Sequence, residues 1–364
     1  MLAALGLGLC SMALTPPDEA YLDYFDFRVL GLLFCLMSVV KGAEGLGLFE
    51  RLSHGLLTRA KSMRAVTLVL VLLPFFSSML VTNDVALLAF VPFAIAVIGA
   101  AAPERLIFTV VLQTVAANLG SALTPLGNPQ NLYLASRYGL STGDFIRYMG
   151  PVVLLSLVLL FVCGAAGKNV SLGVALGQSP VRGENAVPQA RRLLPWLYAG
   201  LFLLCLLVVL RVLHWLAVLG AVVICQLIFD RKTLLRVDYG LLLTFVGFFV
   251  FVGNLGRVPA VRGALSSVLA GREMLVSAAA SQVISNVPAA LMLSGFTENG
   301  PALLLGVNIG GLGTPIASMA SIISLRLYAK SPGADQKKFL LCFTLWNFAI
   351  LAVLLAFAWL WENN

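Results

Sequence analysis

Polar residues interrupt long apolar stretches of this sequence at four places, and they are the residues best placed to do chemistry. The interruptions are Thr82–Asp84, Thr124–Gln130, Ser285–Pro288 and Gly310–Pro315. Two of them carry prolines and glycines that do not fit a helix interior. Backbone left unpaired inside a membrane is tolerated only where it lines a cavity enclosed by protein. We therefore expect the four breaks to form a binding site.

The breaks predict particular ligands. Each one predicts a new helix N-terminus inside the membrane: at Asp84, near Asn131, at Val287 and near Ser318. The unpaired N–H groups and the positive dipole end of such a terminus attract an anion. The carbonyl ends of the preceding helices suit a hard cation such as Na⁺, together with the side chains of Thr82, Asn83, Ser285 and Asn286.

The full set of candidate residues for substrate or ion binding follows from the breaks and from two asparagines that precede them. It comprises Thr82, Asn83, Asp84, Asn118, Thr124, Gly127, Asn128, Asn131, Ser285, Asn286, Asn308, Gly310, Thr314 and Ser318. Structural roles compete with binding. Buried asparagines form hydrogen bonds between helices. The residues at the tip of each predicted hairpin, around Asn83 and around Asn286, cap the helices that meet there. Asp84 has three candidate roles: proton carrier, Na⁺ ligand or helix cap.

The composition requires a membrane domain to position these residues. Of the 364 residues, 60% are hydrophobic and 11% are charged, which is too little charge to cover a soluble surface. The long apolar stretches are 28–48, 65–101, 147–167, 193–229, 238–256 and 339–361. A helix needs about 20 apolar residues to cross a bilayer. We therefore predict one membrane domain over 1–364. The net charge of +8 lies in short clusters between these stretches, which is not a nucleic-acid-binding pattern.

The charges between the apolar stretches predict the topology. The acidic segment 15–27 is placed outside and the basic segment 51–64 inside, so a short first helix over 2–14 starts from a cytoplasmic N-terminus. The basic loop after 147–167 is inside only if 65–100 is a hairpin that enters and leaves on one side. In the second half, the basic loop 230–237 is inside, and Arg257, Arg262 and Arg272 fall outside as exceptions to the rule.

The two halves of the chain match by residue type. Residues 78–83 match 281–286, Asn118-Leu119-Gly120 matches Asn308-Ile309-Gly310, and Thr124-Pro125 matches Thr314-Pro315. We therefore predict an all-α polytopic membrane protein with two inverted repeats, each containing a re-entrant helical hairpin and a broken transmembrane helix. Repeat one covers about 1–168, a cytoplasmic linker 169–192, a linking helix 193–211, and repeat two about 213–361.

No enzyme or ATPase pattern is present in the sequence. It contains no GxxxxGK[ST] loop, so transport would use an ion gradient or run passively. It contains no Ser-His-Asp set and no cluster of metal ligands, so we expect no enzyme activity and no cofactor apart from Na⁺ or H⁺ as a coupling ion. The six cysteines lie inside apolar stretches, where they behave as small hydrophobic residues.

At the breaks the chain resembles the ion transporter superfamily of secondary carriers. Val81–Asp84, Ser285–Pro288 and Asn308–Ser318 are similar to the arsenite permease branch, whereas Gly127–Asn131 resembles the Gly-x-Pro-x-Asn loop of the dicarboxylate and citrate branch. The paired Ser-Asn-Thr tips of dicarboxylate carriers are met only in part, because Asp84 and Val287 follow the two asparagines. The resemblance implies a homodimer with a moving transport domain.

The favoured function is a secondary active transporter for a small anion, a di- or tricarboxylate, in the inner membrane. It would work by alternating access and be coupled to Na⁺ or H⁺. The first alternative is an arsenite or antimonite efflux permease, because a neutral trihydroxide needs no cation partner and Asp84 would then couple protons. The second alternative is an anion channel, which converging helix ends also suit. Coupled counterflow distinguishes a carrier from a channel.

Overall fold

The computed structural model describes residues 1–47, 62–166 and 193–362. Within these ranges the chain is helical and forms no β-strand, so the predicted all-α class is confirmed. The predicted linker 169–192 and all but the last three residues of the basic segment 51–64 lie outside the described residues.

The described residues of the first half form seven α-helices and one 3₁₀ turn. They are α1 (Leu2–Ser11), the 3₁₀ turn Glu19–Tyr24, α2 (Phe27–Gly45), α3 (Met63–Ser77), α4 (Asn83–Ala101), α5 (Pro103–Ser121), α6 (Pro129–Arg137) and α7 (Thr142–Ala165). The second half forms α8 (Leu194–Val209), α9 (Trp215–Phe229), α10 (Arg231–Leu234), α11 (Tyr239–Gly256), α12 (Pro259–Leu269), α13 (Glu273–Ile284), α14 (Asn286–Leu293), α15 (Gly300–Ile309), α16 (Met319–Ala329) and α17 (Gln336–Glu362).

Local sequence explains where several of these helices begin. Asp26 caps α2 by accepting a hydrogen bond from the Val29 N–H at 2.9 Å, and Asp238 caps α11 in the same way through Leu241 at 3.0 Å. The hydroxyl of Ser141 accepts a hydrogen bond from the Asp144 N–H, and the carboxylate of Asp144 accepts one from the Ser141 N–H. This reciprocal capping box fixes the start of α7.

Among the described helices, three are long and apolar enough to cross a membrane unaided: α7, α11 and α17. Most of the remaining apolar helices are too short to cross a membrane completely, which agrees with the helix breaks predicted from the sequence. One of the three arginines that the sequence places outside, against the rule, has an acidic partner there. Arg257, at the end of α11, forms an ion pair with Asp18 at 2.6 Å, so it is neutralised by the acidic segment that the sequence places outside.

α5 and α15 form the core, because nearly all their residues beyond the first turn are buried. Each packs against a pair of short helices: α3 and α4 flank α5, and α13 and α14 flank α15. The packing is closest at two glycines. A Cβ at Gly120 would overlap the Phe75 carbonyl oxygen, and one at Gly310 would lie 2.6 Å from the Ala278 Cα. Phe75 lies eight positions before Asn83, where α4 begins, and Ala278 lies eight positions before Asn286, where α14 begins.

The apolar stretch 193–229 is divided into α8 and α9 at Arg211, where the sequence analysis ended the linking helix 193–211. The φ of Arg211, 62°, is unfavourable inside a helix. One feature of the chain differs from the sequence-based expectations. The segment 257–274 contains the short helix α12, which was not predicted because its mixture of small and charged residues has no long apolar run.

Candidate functional site

Asn118, near the end of α5, joins three elements in the buried centre of the molecule. Its side-chain oxygen accepts hydrogen bonds from the Asn83 amide at 2.9 Å and from the Ser318 hydroxyl at 3.0 Å. Its amide donates to the Gly311 carbonyl at 3.5 Å. Asn83 begins α4 and Ser318 is the N-cap of α16, so one side chain ties together helix starts from the two halves of the sequence.

Asn308, the match of Asn118 in α15, makes the corresponding connection in the other direction. Its amide donates to the Asn131 side-chain oxygen at 2.8 Å and to the Leu304 carbonyl at 2.9 Å. The amide of Asn131 in turn donates to the carbonyls of Ser121 and Thr124, at 3.2 and 3.1 Å. The second half is thereby bonded to the loop that breaks α5 from α6.

Each short-helix pair is also bonded to the loop that follows its core helix. The Asn83 N–H donates to the Gly127 carbonyl at 3.2 Å, and the Asn286 N–H donates to the Ala317 carbonyl at 2.9 Å. A second pair of bonds matches as well. The Thr124 hydroxyl donates to the Met79 carbonyl at 2.5 Å. The Thr314 hydroxyl donates to the Gln282 carbonyl at 2.8 Å.

The four predicted helix starts agree closely with the structure. The helices begin at Asn83, Pro129, Asn286 and Met319, within three residues of the expected positions. At both tips the asparagine side chain accepts a hydrogen bond at 2.9 Å from the following N–H, of Asp84 and Val287 respectively. Asn83 and Asn286, each the first residue of its helix, therefore supply a partner for one N–H of their own first turn. The N-cap positions themselves, Thr82 and Ser285, make no side-chain cap hydrogen bond.

Several predicted residues have mainly structural contacts. A Cβ at Gly127 would overlap the Ser121 carbonyl, so this position requires glycine, and Gly310 lies where α15 touches α13. Asn128, the N-cap of α6, donates to the Ser121 hydroxyl at 2.5 Å. These residues shape the break rather than face an open space.

The four predicted Na⁺ ligands fall into two separate groups. Thr82 and Asn83 lie at one tip and Ser285 and Asn286 at the other, and no hydrogen bond within the described part of the chain joins the tips directly. The Ser285 hydroxyl lies 3.4 Å from both the Asn286 side-chain oxygen and the Ala317 carbonyl, which leaves several oxygens close together. Oxygens grouped as they are at Ser285 are the kind of ligand that a hard cation prefers.

Buried polar atoms without a hydrogen-bond partner occur on the elements around Asn118 and Asn308. Within the described residues they are Asp84 Oδ1, both amide atoms of Gln130, Asn308 Oδ1 and Ser321 Oγ. Unpaired polar atoms also occur at Gln113, earlier in α5, and in other helices at Gln226, Asn254 and Asn347. Only those close to the helix breaks are therefore assigned to the candidate site. A buried polar group costs free energy unless it has a partner, and a bound ligand or water supplies one.

The sequence analysis did not select Gln130 or Ser321. Gln130 lies inside the Gly127–Asn131 motif, and its side chain has no exposed surface. Ser321 lies 13 positions after Asn308, as Asn131 does after Asn118. The match between the two halves of the sequence could therefore have identified Ser321 as the counterpart of Asn131. Both residues are added to the candidate site.

Asp84 has charged neighbours on two other helices. It interacts electrostatically with Asp238 at the start of α11 and with Lys41 of α2. Lys41 is already paired with Glu44, since its ammonium lies 2.7 Å from the Glu44 carboxylate. The aspartate therefore has no dedicated ion-pair partner among the described residues.

Several known proteins are similar in sequence to this chain, two of them over most of its length. A family model described as citrate transporter matches residues 1–301. The inner membrane protein YbiR of Escherichia coli is 32% identical over 338 residues, which cover 90% of this chain and 86% of YbiR. The transporter MJ0456 of Methanocaldococcus jannaschii is 30% identical, covering 90% and 88%. The rice silicon efflux transporter LSI3 is 30% identical over 149 residues, which cover 40% of this chain and 30% of LSI3.

These matches agree with the helical, apolar chain and with the resemblance to the ion transporter superfamily, which they confirm. The chain belongs to the citrate transporter family of membrane transporters.

Proposed function

We propose that this protein is a secondary active transporter that moves a small anion, a di- or tricarboxylate, across the inner membrane by alternating access. Transport is coupled to Na⁺ or H⁺. The observation that carries the proposal is the buried hydrogen-bonded centre built by Asn118 and Asn308, which joins the broken helices of both halves and is surrounded by unpartnered polar atoms. A ligand bound where the helix starts of both halves meet would supply partners for these atoms.

Helix starts at this centre favour an anion. Asn83 of α4 and Ser318 before α16 both bond to Asn118, so two positive dipole ends approach one point. The Gln130 amide supplies further donors near the start of α6. A carboxylate substrate accepts hydrogen bonds from such groups, and a cation at each tip offsets its charge.

Inverted repeats form part of the proposal. The matched contacts of the two halves support a repeat, because tip N–H groups, threonine hydroxyls and packed glycines recur at equivalent positions. The charges between apolar stretches support opposite orientations, with the N-terminus in the cytoplasm. On this proposal α3–α4 is a hairpin that opens to the inside and α13–α14 one that opens to the outside.

Alternating access requires the site to move relative to the surrounding helices. An apolar cavity of about 610 Å³ separates α3 from α2 and α8, with Phe76, Val39 and Tyr198 in its wall. If α3 moves relative to α2 and α8, apolar contacts across this gap are replaced by other apolar contacts, and no buried hydrogen bond has to break. A homodimer, in which fixed helices of two copies support moving ones, is proposed from the family resemblance.

A second candidate is efflux of a small neutral hydroxide such as arsenite or antimonite. Two observations favour it: Val287 provides no hydroxyl at the second tip, and a relative matched over part of the chain is named as a silicon efflux transporter. In this version the substrate needs no cation, and Asp84 carries a proton. A channel, the third possibility, would not couple the movements of two solutes.

A panel of ligands on the purified protein tests the proposal first. Thermal unfolding is measured with dicarboxylates, citrate, phosphate, arsenite and silicic acid, each with and without Na⁺. The proposal predicts stabilisation by a di- or tricarboxylate through binding to the folded state. Proteoliposomes preloaded with that compound should then take up the labelled compound faster than empty ones. Stabilisation by arsenite alone would favour the second candidate, and equal uptake into loaded and empty vesicles would contradict a carrier.

A further inference from the structure

A second cavity, of about 560 Å³, lies apart from the candidate site at one end of the helices. It is formed where α7, α13 and α15 begin and where α17 ends. Six of the residues in its wall carry the argument: Arg147, Arg272, Glu273, Glu362, Trp359 and Trp361. No residue of the candidate site lines this cavity, so its role is separate.

The two arginines of this cavity are available to a ligand. Arg147 and Arg272 are exposed, and neither forms an ion pair within the described residues, where the ion pairs are Lys41–Glu44 and Arg257–Asp18. The guanidinium carbon of Arg147 lies 6.0 Å from the centre of the Tyr148 ring. Guanidinium groups bind phosphate with paired hydrogen bonds, so two of them facing one cavity favour a phosphate ligand.

The two carboxylates of the cavity lack a cation. Glu273 is only 7% exposed, and one of its oxygens accepts hydrogen bonds from the Thr297 hydroxyl at 3.2 Å and the Gly271 N–H at 3.3 Å. Neither Glu273 nor Glu362 has a cationic partner within the described residues, and the two interact electrostatically with each other. A buried carboxylate beside another negative charge is costly unless a cation approaches, which an ammonium group on a ligand would do.

The cavity opens at the depth of the lipid headgroups. α17 has 27 residues, which corresponds to about 40 Å of helix and spans the hydrocarbon core completely. Its last turn carries Trp359 and Trp361, both more than half exposed. Tryptophan is enriched at membrane–water interfaces because its ring is apolar and its N–H is polar.

We propose that this cavity binds the headgroup of a zwitterionic phospholipid with a primary amine, the phosphoethanolamine type. The phosphate contacts Arg147 and Arg272, the ammonium contacts Glu273 and Glu362, and the lipid chains follow the tryptophans. The two positive and two negative side chains balance, as the two charges of the headgroup do. An anionic lipid would leave the carboxylates without a cation, and a choline headgroup has no N–H to donate to them.

Such a lipid would hold four helices together at one end. α15 packs against α13, α17 and α7, and all four contribute residues to the cavity. α15 carries Asn308, and α13 ends directly before Ser285 and Asn286. The headgroup would therefore stabilise the arrangement in which the ends of these two helices lie against α7 and α17.

Native mass spectrometry and thermal unfolding test this proposal on the full-length protein in detergent after delipidation. Phosphatidylethanolamine, phosphatidylcholine and phosphatidylglycerol are added back singly. Phosphatidylethanolamine should be retained about tenfold more than phosphatidylcholine, as expected for one hydrogen bond between charged groups. Glu362→Gln should remove this preference while leaving phosphatidylcholine retention unchanged, and Arg272→Gln should lower retention of all three. Glu362 is exposed at a helix end, so its substitution should leave folding intact, whereas Glu273 also bonds to Thr297 and Gly271.

Arg262→Gln on α12 is the matched control, because this exposed arginine lies outside the cavity and its loss should change nothing. Equal retention of the three lipids, or a preference for phosphatidylglycerol, would overturn the proposal. The same holds if Glu362→Gln and Arg272→Gln bind lipid as the unmodified protein does. Displacement of the lipid by inorganic phosphate or citrate at equal concentration would show a site for soluble anions and would also overturn it.

Discussion

The two tip regions of the molecule, around Asn83 and around Asn286, share a backbone framework but not a set of reactive groups. In each, the asparagine N–H is bonded to the loop after the core helix, and the asparagine side chain accepts a hydrogen bond from the next N–H of its own helix. The residue that follows is Asp84 at the first tip and Val287 at the second. The framework is thus duplicated, whereas a group able to carry a proton is present at only one tip.

The tips also differ in how the chain turns. Five residues, 78–82, separate α3 from α4, whereas Ser285 alone separates α13 from α14, with a φ of 75°. A serine in the left-handed region is strained, and the surroundings must hold it there. Gln282 contributes to this, because its amide donates to the carbonyls of Gly310 and Leu312, at 2.8 and 2.9 Å. The first tip has Met79 at the equivalent position. The second tip is therefore the more rigidly built of the two.

The largest expected effect comes from the packed glycines that the regions share. Gly120→Ala and Gly310→Ala should each destabilise the protein by roughly 3 kcal/mol or more, because the new methyl group meets backbone that cannot move aside. Thermal unfolding and the yield of folded protein measure this. Gly256→Ala is the control, since a Cβ there meets nothing within 4 Å. Stability close to wild type for either core variant would show that the two close approaches are not equivalent.

The second prediction concerns the residue by which the tips differ. If Asp84 carries the coupling proton, Asp84→Asn should reduce pH-driven net transport to background. Exchange of substrate across the membrane should stay within about twofold of wild type, because exchange moves no net proton. If Asp84 binds Na⁺, the same substitution should raise the Na⁺ concentration for half-maximal transport.

Proteoliposome transport over a range of pH, at low and high Na⁺, distinguishes the two roles of Asp84. Val287→Asn is the matched substitution at the other tip, where no ionisable group is lost. This variant should keep the dependence of transport on pH or Na⁺ that the unmodified protein has. Wild-type behaviour of the Asp84→Asn variant at every pH and Na⁺ level would make Asp84 only a helix cap.

The third prediction compares the tip asparagines themselves. Asn83→Ala should destabilise the protein more than Asn286→Ala, by about 1–3 kcal/mol, because only the Asn83 side chain bonds to the buried Asn118. Both substitutions should weaken the dependence of binding on Na⁺ or pH. Thermal unfolding and ligand binding are measured on the same samples. Unchanged cation dependence in both variants would leave the tips as caps without a binding role.

The sequence predicted the framework better than it predicted the site. The breaks were found because prolines, glycines and amides stand out in apolar stretches, and the helix starts at Asn83 and Met319 follow from them. Gln130 and Ser321 were not found, because the sequence does not show which buried polar atoms lack partners. The pairing of Asn118 with Ser318 and of Asn308 with Asn131 joins residues more than 170 positions apart. Such contacts depend on packing between the two halves, which local patterns do not determine.

The smallest expected effect comes from the threonine hydroxyls. Thr124→Val should cost about 1 kcal/mol by removing the bond to the Met79 carbonyl. Thr314→Val should cost less, because Gln282 continues to hold the same loop through the Thr314 N–H, at 2.9 Å. Thermal unfolding of the two variants side by side measures the difference. A larger loss for Thr314→Val would contradict the view that the second tip is the more strongly supported.

Opposite orientation of the two tip regions is the central claim, and labelling of single cysteines tests it most directly. In a variant with the six native cysteines replaced, Lys61→Cys and Glu298→Cys mark the chain before the first short-helix pair and after the second. A membrane-impermeant maleimide should label the Glu298→Cys variant in intact cells, and the Lys61→Cys variant only in inverted membrane vesicles. Labelling of both variants from the same side would contradict inverted repeats and the site built from them.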